Sequence, residues 1–227
     1  MKRITWLSPD DDWFPAVDQA LDEPPGLLAA GGDLTPRRLL AAYRHGIFPW
    51  YSAGQPVLWW TPDPREVLFP GEFRRSRSLE KSMRNRGLTV SFDSDFAAVI
   101  DACAAPRDPT GGTWITPGMR TAYLALHELG LAHSVETRQA GILVGGLYGI
   151  ALGGVFFGES MFARERDASK VALAALVDGC PARGIQLIDC QLASPHLRSL
   201  GSRALPRSEF QACLARFGTG DRPEHWT

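Results

Sequence analysis

Apolar positions along the chain recur either at helical spacing or in short runs bounded by turn residues. Thr35 and Pro36 precede Leu39, Leu40 and Tyr43, with Gly46 beyond them, so a capped helix is predicted there. Residues 78–86, closed by Gly87, predict a second helix, and residues 88–92 a strand. Asp93 is read as the cap of a helix that carries Phe96, Val99, Ile100 and Cys103 on one side. Thr116 and Pro117 open another helix, through Tyr123 and Leu126 to Gly130. Strands are predicted at about 132–137, 141–151 and 154–162, and again at 185–190. Asp167 is read as the cap of a helix with Val171, Ala174, Ala175 and Val177 inward, and Ser194, Pro195 and Arg207 open two last helices. This order predicts an α+β fold, a mostly antiparallel sheet with helices packed on it. An aromatic-rich stretch of loops and short strands over 47–64 marks a division into a small N-terminal domain, 1–65, and a larger one, 66–227.

Residues 141–158 contain no charge, which is the length of a membrane span. Seven of them are glycine, and Gly153 and Gly154 separate two apolar runs as a hairpin turn would. Two buried strands are therefore predicted and no membrane segment. The N-terminus starts like a signal peptide, but Pro9 and Asp10, Asp11 and Asp12 interrupt it before an apolar core forms. The four cysteines show no CxxC spacing, which argues against a zinc or redox motif and fits a reducing cytoplasm.

The 227-residue chain is 44% hydrophobic, with a net charge of −1, so no global field favours nucleic acid. The charge is uneven, however. Residues 1–35 hold two basic and seven acidic side chains, whereas residues 72–86 hold six basic and two acidic. Within that basic stretch, Arg74, Arg75, Arg77, Lys81 and Arg84 are candidate phosphate ligands. On a helix Arg77, Lys81 and Arg84 form one stripe, and a merely solvated helix face is the competing reading.

Familiar chemical signatures come close and break. Leu131 stands where a zinc-protease HExxH starting at His127 needs its second His, and Phe162 replaces the last Gly of a GxSxG elbow at Gly158. Arg138-Gln-Ala-Gly141 resembles the pyrophosphate loop of CoA-dependent acetyltransferases, but Leu143 replaces its small residue. No Walker A or GxGxxG pattern is present. What remains is side-chain chemistry on a bound substrate. Strand alternation puts Val155, Phe157, Glu159 and Met161 on one face, where Glu159 needs a buried partner or a cationic ligand. Asp189 and Gln191, two apart at the end of an apolar strand, can enter one cleft, a pairing suited to steering a proton. A solvated strand end is the competing reading.

At these residues the chain resembles the bacterial leucyl/phenylalanyl-tRNA–protein transferases. The matching segments include Gly46-Ile-Phe-Pro-Trp50, Leu58-Trp-Trp-Thr-Pro-Asp-Pro-Arg65, Thr113-Trp-Ile115, Gly158-Glu-Ser-Met-Phe162 and Leu187-Ile-Asp-Cys-Gln191, and they span about residues 20–217. The resemblance implies a small N-terminal α/β domain followed by an acetyltransferase-like (GNAT-related) domain. It implies transfer of Leu, Phe or Met from the 3′ end of aminoacyl-tRNA to the α-amine of proteins beginning with Arg or Lys, marking them for N-degron degradation. No cofactor and no metal are implied, and a cytoplasmic monomer is expected. By resemblance, Asp189 and Gln191 are the catalytic pair and Glu159 the substrate-site carboxylate. Trp50, Trp114, Phe156 and Met161 match the pocket for the aminoacyl side chain and terminal adenosine. Leu147, Leu176 and Cys180 are smaller than the family's Met or Phe.

An aminoacyl ester is already activated, so the enzyme has only to hold two substrates and present a neutral amine to the ester. The expected arrangement has Asp189 polarising the side-chain amide of Gln191, whose carbonyl accepts the amine's hydrogen bond. A CoA-dependent acyltransferase of the same fold and a non-catalytic RNA-binding adaptor are the competing readings of the whole chain.

Overall fold

The computed structural model describes residues 2–106, 113–219 and 226. Two sheets organise them. The first uses β1 (Thr5–Leu7), β2 (Leu27–Gly31), β3 (Phe48–Pro49) and β4 (Leu58–Trp60) in the order β1-β2-β4-β3, with α1 (Pro36–Arg44) between β2 and β3. The second is built from β5 (Arg65–Leu68), β6 (Leu88–Phe92), β7 (Ala132–Gln139), β8 (Ile142–Leu152), β9 (Val155–Ala163), β10 (Leu187–Gln191) and β11 (Arg203–Leu205). Its order is β11-β5-β10-β9-β8-β7-β6, and every pair is antiparallel except β9 with β10. The helices that cover it are α2 (Arg77–Asn85), α3 (Phe96–Ala104), α4 (Pro117–Glu128), α5 (Ala168–Gly179), α6 (Pro195–Ser199) and α7 (Arg207–Phe217). This is the α+β class predicted.

The seven-stranded sheet is buried on both faces, which explains apolar runs without polar alternation. Val67, Phe157 and Leu187 join one apolar cluster, and their chain neighbours Leu68, Phe156 and Ile188 join the other. The first cluster continues through α1, α3 and α4 into the four-stranded sheet, where it takes in Leu7, Leu28 and Trp59, so both sheets share it. The second lies under α2 and α5. The glycines of β8 allow close approach on these faces. A side chain at Gly145 would meet Ala168 of α5, and one at Gly149 would meet the Phe157 carbonyl and the Phe156 ring. Among the described residues no helix is long and apolar enough to cross a membrane.

Capping is as predicted at three helices, where Thr35, Thr116 and Ser194 each accept a bond from the amide three residues on; Ser76 does the same at α2, which begins one residue before the predicted 78. Two predicted caps are different. The cap of α3 is Asp95, which accepts from the Ala98 amide. Asp93 is left-handed, at φ 50°, and its carboxylate instead takes His133 Nδ1 and the Ser134 amide, each at 2.7 Å. Asp167 precedes α5 in a left-handed conformation and makes no cap bond; it accepts from Ser82 and Lys170. Arg138 and Gly141 flank the β7–β8 turn rather than a helix N-terminus, which removes the pyrophosphate-loop geometry as well as its sequence.

Candidate active site

The only parallel pair of the large sheet ends early. Leu187–Asp189 run beside Val155–Phe157, and then both strands break register. In β9, Tyr148 opposes Ser160 while Gly149 opposes Gly158, so Glu159 is the extra residue of a bulge. In β10 the ladder to β5 skips Cys190, and Gln191 is left-handed at φ 63°. A cavity of about 860 Å³ opens between the diverging ends. Glu159, Asp189 and Gln191 line it together with Trp114, Phe156, Met161, Leu147 and Leu176.

The bulge overturns one expectation. Strict alternation puts Met161 beside Phe157; the extra residue moves it to the face of Phe156, where both join the wall of the cavity. Glu159 keeps the Phe157 side. There it accepts from Tyr43 of α1 (2.8 Å), Tyr123 of α4 (2.6 Å) and Gln191 Nε2 (2.9 Å). Burial pushes its carboxyl up to about 7, against the pull of the two tyrosine bonds, and the charge of Asp189 nearby adds to the rise. Burial and the charge of Glu159 raise the hydroxyls of Tyr43 and Tyr123 well above 10, so both remain protonated donors.

Asp189 is fully buried and is held by Arg65, with Nε and Nη2 donating at 2.8 and 2.7 Å. Phe48 of β3 and Phe210 of α7 each lie 4.7 Å from the same guanidinium. Asp189 Oδ1 also accepts the Gln191 main-chain amide at 2.9 Å. The expected contact with the Gln191 side chain is therefore replaced. Asp189 fixes the backbone of Gln191, and Glu159 holds its NH₂ end, which leaves the carbonyl oxygen as the available acceptor.

Trp114 lines the cavity, whereas Trp50 does not; it is 42% exposed and meets Trp60 edge-on. Its neighbour Tyr51 bonds Thr116 at 3.0 Å, which brings this loop to the segment carrying Trp114. Arg74, Arg77, Lys81 and Arg84 are exposed and make no ion pair among the described residues, whereas Arg75 pairs with Asp178. The helix α2, which carries Arg77, Lys81 and Arg84, reaches the cavity rim through the loop after β9: Ser82 bonds Asp167, Arg86 at its end bonds Glu165, and Arg164 of that loop lines the cavity.

Arg65, Tyr43 and Tyr123 carry the site yet are not among the site residues expected from sequence. Arg65 opens β5, a strand that no sequence pattern predicted, and its burial, where an unpartnered cation is costly, emerges only with the fold. The tyrosines read as members of apolar helix stripes, and only their hydroxyls hinted at a polar partner.

Residues 67–215 match the family described as leucyl/phenylalanyl-tRNA protein transferase, and residues 32–63 match its N-terminal domain. The chain belongs to this family. It is 62% identical over 213 residues to the leucyl/phenylalanyl-tRNA–protein transferase of Pseudomonas entomophila (strain L48), covering 94% of each chain. To that of Azoarcus sp. (strain BH72) it is 59% identical over 225 residues, covering 99% of this chain and 95% of the relative. The chain is thus an aminoacyltransferase, moving an aminoacyl group from tRNA to a protein. Two solved structures are similar at lower identity. FemX has a TM-score of 0.49 at 11% identity, over 75% of this chain and 66% of that one. A GCN5-related N-acetyltransferase from Kribbella flavida has a TM-score of 0.42 at 17% identity, over 76% and 61%.

Proposed function

We propose that the protein transfers Leu, Phe or Met from aminoacyl-tRNA to the α-amine of cytoplasmic proteins that begin with Arg or Lys, marking them for N-degron degradation. One observation carries this reading: a single cavity joins the Asp189, Gln191 and Glu159 network to an apolar wall of Leu147, Phe156, Met161, Leu173 and Leu176. An apolar wall admits unbranched or γ-branched side chains and excludes charged ones by desolvation. Trp114, and Trp50 on the adjoining loop, offer faces for the terminal adenine, with stacking worth roughly 1–3 kcal/mol per base.

In the proposed step the neutral amine attacks the ester carbonyl. The C–N bond forms, the bond to the ribose oxygen breaks, and the amine proton ends on that oxygen. The Gln191 carbonyl accepts the amine's hydrogen bond and holds its lone pair toward the ester. Glu159 and Asp189 act as positioning residues for Gln191. With the two tyrosines and Gln191 already donating to it, Glu159 is better suited to bracing than to binding the acceptor's cationic terminus. The exposed stripe Arg77, Lys81 and Arg84 guides the tRNA backbone.

Incubation with labelled Phe-tRNA and a protein starting with Arg, beside Met- and Ala-starting controls, tests the reading. Label is expected on the Arg protein alone; label on none, or on all three equally, overturns it. Charge reversal at Arg77, Lys81 and Arg84 is expected to raise KM for charged tRNA. It should also flatten the salt dependence by roughly 0.7 per lost phosphate contact. An unchanged salt slope removes this helix from the tRNA path.

A further inference from the structure

Beyond the cavity wall lies a second aromatic set that the proposed reaction does not use. Trp226, near the end of the chain, is 5% exposed and belongs to the same apolar cluster as Leu147, Phe156, Leu173, Leu176 and Ile188, all of which line the cavity. Its indole stacks on His133 at 4.0 Å with planes 7° apart. Arg183 lies 5.0 Å from the ring and donates to the Trp226 carbonyl at 3.4 Å. Phe92 approaches at 6.5 Å. The left-handed Asp93 fixes the platform by holding His133. Trp226 also meets the ring of Phe156, at 5.6 Å and 33°.

Phe156 has little freedom of its own. A Cβ at Gly149 would sit 2.6 Å from two of its ring atoms, so the ring lies directly against the backbone of β8. With the indole packed on it as well, the ring is held by β8 and by Trp226 while it faces the cavity. We infer that Trp226 is a specificity-determining residue: by backing Phe156 it sets the size of the apolar pocket and so the choice among Leu, Phe and Met. The inference rests on the transfer reaction proposed above. A pocket discriminates by size only as far as its walls resist displacement, and one methylene is worth roughly 10–200-fold when they do. A wall backed by a rigid, nearly buried indole resists; one backed by a void does not.

The test compares kcat/KM for Leu-, Phe- and Met-tRNA in the full-length protein and in Trp226→Ala and Trp226→Phe, with an Arg-starting acceptor. In Trp226→Ala the Phe-to-Leu ratio is expected to rise roughly tenfold, and Trp226→Phe is expected to restore most of the original ratio. A fall in all three rates by the same factor, with the ratio intact and Tm lowered, makes Trp226 a mere stabiliser and overturns the inference. A second measurement needs no change of fold: 5-fluorotryptophan is incorporated throughout the chain, and the Trp226 resonance is assigned from Trp226→Phe. That resonance is expected to shift with a phenylalanyl-adenosine amide but not with adenosine. If it stays fixed with the amide while the Trp114 resonance moves, the inference fails and the reaction stands. If the unaltered protein transfers nothing from any of the three tRNAs, the proposed reaction itself fails.

Discussion

Two buried carboxylates stand beside Gln191, and they are neutralised in opposite ways. Asp189 lies against a full positive charge, the bidentate guanidinium of Arg65. Glu159 has only neutral donors, two phenols and an amide, and burial pushes it up to about 7. Neutral hydrogen bonds offset part of the cost of burying a charge, whereas a paired cation can offset most of it. Asp189 is thus a fixed element that shapes the backbone of Gln191, and Glu159 is a brace whose charge changes near neutral pH.

Removing the cation should break this contrast with the largest effect. Arg65→Met leaves Asp189 buried without compensation, and a stability loss of about 3–5 kcal/mol is expected in denaturant unfolding. Arg65→Lys keeps a charge but loses the fork and its packing between Phe48 and Phe210. It should fold and transfer with lowered kcat and little change in KM for either substrate. A normal kcat would detach Arg65 from the positioning of Gln191.

The next effect concerns pH. In the folded chain the Glu159 carboxyl keeps its proton up to about 7, while in the unfolded chain it releases it near its ordinary 4.5. Between those values the native state binds more protons, so stability falls as pH rises from about 4.5 to about 7 and then levels off. The full drop is on the order of 3 kcal/mol. Glu159→Gln cannot titrate, and its stability should lack this component of the slope; an unaltered slope in the variant would contradict the account.

The smallest effects sharpen the comparison. Tyr43→Phe and Tyr123→Phe each remove one neutral donor, at a cost of roughly 1–3 kcal/mol. Each should also push Glu159 further up and move the steep part of the stability profile to higher pH. The same substitutions should leave the Arg65–Asp189 pair untouched. Double-mutant cycles between Tyr43 and Tyr123 should give strong coupling, since their hydroxyls lie 2.6 Å apart and share one carboxylate.

The elements that were legible in the sequence depend on neighbours a few residues away. Thr35, Thr116 and Ser194 cap helices because hydroxyl and amide are three positions apart on one chain. The β8–β9 hairpin follows from Gly153 and Gly154 in the same way. Asp93 shows the limit: local pattern makes it a cap, but His133 and Ser134, forty residues on, offer its carboxylate a charge-assisted partner and a main-chain amide. Met161 shows a second limit. Alternation holds only while register holds, and the bulge at Glu159 reverses every side chain beyond it.

By itself, then, the sequence determined the main helices, the strands from β6 to β10 and, through motif resemblance, the family. Those depend on short-range spacing and on residue types that chemistry restricts. The tertiary structure alone decided which partner each side chain of the site meets. Arg65 meets Asp189 across 124 positions and Tyr43 meets Glu159 across 116. Whether a buried carboxylate faces a cation or a phenol depends on which strands and helices converge, and no local pattern encodes that.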